Sequence, residues 1–180
     1  MKKVLIISSS PRMNGNSDTL CNEFMAGAKE AGHEVKKIRL QDYRINYCIG
    51  CMACIDNGGH CVQKDDMAKL LTNMAEADVI VLATPVYFYT MCGQMKTFID
   101  RCCPAYMKLA NKQFYTILTA AEAEKEAMQP TVLGFQGFFD CLDHPSIVGT
   151  LYGLGNTAPR DVQARPEMMK EAYIMGHTIH

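Results

Sequence analysis

No charge of either sign prevails in this chain: 18 lysines and arginines stand against 19 aspartates and glutamates, a formal net charge of -1. That balance argues against electrostatic steering toward nucleic acid or an anionic membrane surface. Long hydrophobic runs are missing as well. No apolar stretch approaches the roughly 20 residues that span a bilayer. The run Val4–Ile7 inside MKKVLIISSS is too brief for a secretory leader, and Pro11-Arg12 follows where a cleavage site would fall. A cytoplasmic location is expected by elimination. Internal repeats, low-complexity tracts and linker-like boundaries are also absent, so residues 1–180 read as one domain around a single core.

What is present begins with apolar periodicity. Val4-Leu5-Ile6-Ile7 is continuously apolar, as in a strand buried on both faces, and Val79-Ile80-Val81-Leu82 repeats the pattern more strongly. Further strands are expected over 33–40, 113–119 and 145–152. Helices are expected from Asn16 or Ser17 to Gly32, from Met67, after the aromatic loop 87–89, over 132–142 and from Pro166, with 120–127 also helical in composition. Strands alternating with helices across short connections describe a mainly parallel sheet covered on both sides. In such sheets ligands bind beyond the carboxyl ends of the strands.

Two loops at those ends carry chemistry. SSSPRMNGNSDT, residues 8–19, brings hydroxyls, an amide and the guanidinium of Arg12 to the start of a helix, where free N–H groups favour an anion. It has no Gly-Lys-Ser/Thr and no glycine at the sharp turn, so it is neither a Walker A loop nor a dinucleotide fingerprint. It lacks a cysteine nucleophile, which excludes a tyrosine-phosphatase loop. A monophosphate ester fits it better, and an ordinary polar helix cap is the plain alternative. The second loop, TPVYFYTMCGQMKTFIDR at 84–101, offers Tyr87, Phe88 and Tyr89 to a flat ring with polar edges, or simply packs the sheet end.

The nine cysteines are odd in number, which argues against a disulfide framework. Cys48, Cys51, Cys54 and Cys61 follow C-x2-C-x2-C-x6-C within 14 positions, flanked by the Gly58-Gly59 turn. Such spacing lets thiolates converge on a [4Fe-4S] cube. Zinc could use the same sulfurs, though zinc hooks usually come as two separated pairs, and a site holding neither is the third reading.

Together these segments resemble the flavodoxin-like NAD(P)H-dependent FMN reductases, above all the iron–sulfur flavoproteins, and the likeness runs almost end to end, through DDM at 65–67 and YGLGN at 152–156. The resemblance implies an α/β flavodoxin-like three-layer sandwich with a parallel five-stranded sheet and a cysteine-rich insertion at about 46–64. It assigns the FMN phosphate to Ser10, Arg12, Asn16, Ser17 and Thr19, with Ser9 standing where relatives carry glycine. It assigns the ring to Pro85, Val86, Tyr87, Phe88 and Tyr89, and brings the loop from Thr119 to Glu122 near it. It implies electron transfer from NAD(P)H through FMN to a quinone, a nitro or azo compound, or another acceptor, small or protein. The alternative is a carrier between protein partners whose [4Fe-4S] cluster is held by Cys48, Cys51, Cys54 and Cys61. Hydride passes directly to the flavin, so no catalytic side chain is nominated and the five histidines are assigned structural or exposed positions. Family members form homodimers or homotetramers. Tyr87–Tyr89 and Phe135, Phe138 and Phe139 are candidates for an apolar interface or for the core.

Overall fold

Val4-Leu5-Ile6-Ile7 forms the centre of strand β1 (Lys3–Ser8), and its side chains enter two different cores because successive residues of a strand point to opposite faces. The computed structural model describes residues 1–180. After β1 come α1 (Asn16–Glu30), β2 (Glu34–Arg39), the short α2 (Ala53–Asp56), α3 (Met67–Glu76), β3 (Val79–Tyr87) and β4 (Thr90–Met91). Then follow α4 (Gly93–Asp100), β5 (Gln113–Thr119), α5 (Gln129–Phe139), β6 (Ser146–Gly153) and α6 (Pro166–His177). The sheet order is β2-β1-β3-β5-β6, all parallel, with β4 pairing antiparallel to β3. This is a doubly wound, flavodoxin-like order, and its switch point lies between β1 and β3.

Leu5, Ile7, Ile80, Leu82, Phe114 and Leu118 join the larger core, where α3, α4 and α5 pack. Val4, Ile6, Val79, Val81, Tyr115 and Ile117 face the other core with α1 and α6. Two covered faces explain why the central strands read as unbroken apolar runs. Phe135, Phe138 and Phe139 are buried in the first core, so of the six candidate interface aromatics only Tyr87, Phe88 and Tyr89 are exposed. No helix is long and apolar enough to cross a membrane.

Two local expectations are corrected. Residues 120–124 are not helical, and only a 3-10 turn, Lys125–Met128, forms there. Their backbone is taken by the loop after β6: Ala120 N–H donates to Gly153, Asn156 N–H to Ala120 and Gly155 N–H to Glu122. β3 also runs past Thr84-Pro85, because its end folds into a hairpin with β4.

Candidate functional site

The register aligns Ser8 with Ala83, Pro85 with Thr119 and Thr119 with Gly153, so the strand ends of β1, β3, β5 and β6 open onto one crevice. The loop from Ser9 to Gly15 leaves β1 there. Its root is fixed: Ser9 donates to the Ala83 carbonyl through both N–H (2.9 Å) and Oγ (2.9 Å). Cys92, ahead of α4, lies beneath it with Sγ 3.1 Å from Ser9 Oγ, and its N–H donates to Thr84 Oγ1 at 3.1 Å. Cys92 thus ties the phosphate-loop candidate to the aromatic-loop candidate, a link that depends on tertiary contact and was not read from the sequence.

No side chain caps α1, so the N–H groups of its first turn face the loop without a protein acceptor from a cap. Gly15 is the preceding residue, and a Cβ there would lie 3.1 Å from Ser10 Oγ, filling the hollow that the loop encloses. The hydroxyl contacts inside are loose. Ser10 Oγ meets Arg12 N–H and C=O at 3.3 Å each, and Thr19 Oγ1 reaches Asn14 C=O only at 3.5 Å. Ser17 Oγ and Thr119 Oγ1 are 2.6 Å apart. That pair uses one hydroxyl hydrogen and leaves the other for an acceptor. Arg12 is exposed and its guanidinium engages no carboxylate. The donor set therefore fits a phosphate.

The Asn16 side chain is engaged away from the loop. It donates to Ala158 C=O (2.9 Å) and accepts from Val162 N–H (3.3 Å), bracing the helix start against the 158–162 loop. The nearby carboxylate of Asp18 is buried and would oppose an anion, but Lys37 lies 2.7 Å from it and Arg39 3.9 Å. Asp18 instead accepts Asn14 N–H at 3.1 Å and shapes the loop. Asn156, buried in the YGLGN segment, has an amide oxygen without a partner.

The aromatic loop is a two-residue hairpin. Tyr87 pairs with Thr90, and the turn residues Phe88 (φ 49°) and Tyr89 (φ 65°) both occupy the left-handed region. Such turns favour Asn-Gly, and bulky residues there carry strain. Phe88 is 100% exposed and Tyr89 half exposed, while Thr131 on α5 donates to the Tyr89 carbonyl at 2.9 Å. Pro85 and Val86 are half-buried below them.

The cysteine-rich segment leaves the fold at a neck. Arg44 N–H donates to Asp66, Asn46 N–H to Asp65 and Gln63 Nε2 to Tyr47 C=O. Beyond the neck Cys48, Cys51, Cys54 and Cys61 line one cavity with Cys103 and Arg101. All five cysteines are free thiols, and no three Cys, His, Asp or Glu side chains stand close enough to form a ready-made metal cage. Four thiols sharing one cavity are a donor set of the right kind for a thiolate-bound metal centre. Arg101 is fully buried, binds Asp65 through both terminal nitrogens (2.7 and 3.0 Å) and reaches Cys61 Sγ at 3.5 Å. Burial pushes the Cys21 thiol up to about 12 and raises Cys102 as well, so both behave as core residues.

The family profile described as NADPH-dependent FMN reductase matches residues 2–140. An iron–sulfur flavoprotein of Methanocaldococcus jannaschii is 36% identical over 148 residues, covering 81% of this chain and 75% of that protein. An iron–sulfur flavoprotein of Archaeoglobus fulgidus is 41% identical over 102 residues, which is 57% of this chain and 46% of the relative. A second Archaeoglobus relative is matched over 59% of its length, so the chain spans about half of these two proteins. In fold, an azoreductase from Bacillus anthracis superposes with a TM-score of 0.79 at 19% identity, covering 99% of this chain and 100% of the azoreductase.

Proposed function

The chain belongs to the flavodoxin-like NADPH-dependent FMN reductase and iron–sulfur flavoprotein family, and from that premise we propose that it holds one FMN and passes electrons from NAD(P)H to a quinone, a nitro or azo compound, or another small or protein acceptor. The observation that carries this reading is the uncapped start of α1, with its hydroxyl-lined hollow, set beside a strained aromatic hairpin at the β1/β3 switch point. The FMN, when bound, supplies hydride acceptance and electron release, and the protein supplies binding and orientation. Ser10, Ser17 and Thr19 offer hydroxyls and α1 offers N–H groups to the phosphate, while Arg12 adds a charge-assisted bond. Asn16 contributes through its backbone N–H and its brace to the 158–162 loop. Pro85, Val86 and Thr119 frame the ring, and Tyr87, Phe88 and Tyr89 cover it and exclude water. The same exposed hairpin suits burial by a second copy in a homodimer or homotetramer.

Arg12→Ala is expected to weaken FMN by roughly tenfold or more, the worth of one hydrogen bond to a charged group, and riboflavin little. Titration by flavin fluorescence measures both, and equal losses for the two ligands would remove Arg12 from the phosphate site. Mixing the protein with FMN, NADH or NADPH and a quinone tests turnover: repeated bleaching and reoxidation of the flavin band supports the reductase, and none with either nucleotide refutes it.

The double replacement Phe88→Asn with Tyr89→Gly supplies the residues that the turn prefers. It is expected to stabilise the fold by about 1 kcal/mol in urea unfolding while reducing fluorescence quenching of bound flavin. Unchanged quenching would place these side chains away from the ring.

A second reading, an electron carrier with a [4Fe-4S] cluster on Cys48, Cys51, Cys54 and Cys61, is favoured by their shared cavity. Its test is anaerobic isolation followed by iron and sulfide analysis. Protein so isolated that lacks both overturns it.

A further inference from the structure

Cys103 stands outside the four-cysteine run, in the turn after α4, yet its Sγ lies 3.7 Å from that of Cys54. Both are free thiols and only partly buried, so a small reagent can reach them. The segments that carry them are clamped on either side of the pair. Two residues before Cys103, Arg101 donates to Asn46 C=O at 2.7 Å and to Cys61 Sγ at 3.5 Å. One residue after it, the Pro104 carbonyl presses on Gly59 so closely that a Cβ at Gly59 would lie 2.5 Å from its oxygen. Gly59, at φ 84°, accepts this approach because it has no side chain, and its N–H donates to the Cys54 carbonyl at 2.8 Å. The clamp therefore acts one hydrogen bond away from Cys54. A disulfide requires sulfurs about 2.0 Å apart, and these two already stand at contact distance, 3.7 Å.

We propose that Cys54 and Cys103 form a redox couple that closes to a disulfide by exchange with a small-molecule disulfide. One protein thiolate attacks the small disulfide, forming a mixed disulfide and releasing one small thiol. The second protein thiolate then attacks the bonded protein sulfur and releases the other. The protein pair loses two electrons and two protons, and the two small thiols gain them. The bond staples the cysteine-rich segment to the end of α4. The couple rests on geometry alone, but one consequence rests on the cluster reading: Cys54 cannot ligate iron while it is bonded to Cys103. The oxidised chain would then lack one of four ligands until a thiol reductant reopened it.

The test uses the full chain, metal-free and reduced, exposed to oxidised glutathione and then digested after alkylation of the remaining thiols. The expected result is a mass loss of about 2 Da, the two hydrogens of one disulfide, with Cys54 and Cys103 peptides joined. The joined species should vanish in C103S and in C103A. The oxidised wild type should also take up several-fold less iron and sulfide than the reduced protein, with uptake restored by dithiothreitol. Cys54 bonded mainly to Cys48, Cys51 or Cys61, or left as a thiol while those oxidise, overturns the couple. A Cys54–Cys103 bond with equal iron uptake in both forms upholds the couple and instead removes Cys54 from the cluster ligands.

Discussion

Replacing Gly176 with alanine is expected to destabilise the protein by about 2 kcal/mol, although helix propensity alone favours alanine over glycine by roughly 1 kcal/mol. Packing decides the sign. Gly176 on α6 crosses Gly27 on α1, and a Cβ at Gly176 would lie 2.0 Å from the Phe24 carbonyl oxygen and 3.0 Å from the Ala28 nitrogen. From the other side, a Cβ at Gly27 would lie 2.0 Å from the Tyr173 carbonyl oxygen. Backbone atoms cannot rotate away, so the helices must separate, opening the core where Phe24, Ala28 and Ala172 are fully buried. Thermal unfolding should show a midpoint lowered by roughly 4–8 °C for a chain of this size. Gly137 on α5 is the internal control: it is exposed, nothing lies within 4 Å of its Cβ position, and Gly137→Ala should stabilise by about 0.5–1 kcal/mol. Equal effects at the two sites would mean that the α1–α6 contact does not govern stability. The phosphate-loop candidate runs into the start of α1, about 17 Å along that helix from Gly27, so Gly176→Ala should also loosen FMN by displacing the helix start, with riboflavin, which has no phosphate, losing less.

What the sequence revealed and what it concealed divide along physical lines. Strands buried on both faces announce themselves by composition, which is why β1, β3 and β5 were legible from Val4–Ile7, Val79–Leu82 and Gln113–Thr119. The phosphate-loop candidate was legible because its residues are contiguous and lie between a strand and a helix. The hairpin β3–β4 was not, since Phe88-Tyr89 replaces the Asn-Gly that normally marks such a turn. Residues 120–124 misled because alanine and glutamate favour helices, whereas Gly153, Gly155 and Asn156 from 30 positions onward claim their backbone. Cys92, Arg101 and Cys103 lay inside or beside motifs that could be read. Their partners, Ser9, Asp65 and Cys54, are 83, 36 and 49 positions away, and no local pattern encodes such contacts.

Replacing Arg101 with methionine is expected to cost about 3–5 kcal/mol, because it leaves the Asp65 carboxylate buried and without its counter-charge. Arg101 and Asp65 side chains are each only 1% exposed. Asp65 accepts four bonds: Oδ2 takes Asn46 N–H (2.9 Å) and Arg101 Nη1 (2.7 Å), and Oδ1 takes Met67 N–H (3.1 Å) and Arg101 Nη2 (3.0 Å). One carboxylate thus closes the neck of the cysteine-rich segment, starts α3 and holds the end of α4. Burial by itself would raise the Asp65 carboxyl. The bonds from Arg101 and the two backbone N–H groups outweigh it and bring the group down to about 2. A carboxylate lowered in the folded state stabilises above its unfolded value, and that contribution fades as pH falls through the folded one. The pair should therefore act in full at pH 7 and lose about 2 kcal/mol between pH 4 and pH 2. Asp65→Asn should be strongly destabilising at pH 7, since it strands the buried guanidinium, and its deficit against wild type should shrink across that acid window. The joint replacement Arg101→Met with Asp65→Leu should recover only part of the loss, because Asn46 and Met67 N–H groups would then lack their acceptor. Urea unfolding of the reduced protein at pH 7 and at pH 3 reads these differences, and proteolysis between Tyr47 and Val62 reports whether the segment has come loose. A deficit for Asp65→Asn that is the same at both pH values would exclude the ionised pair as the anchor of the cysteine-rich segment.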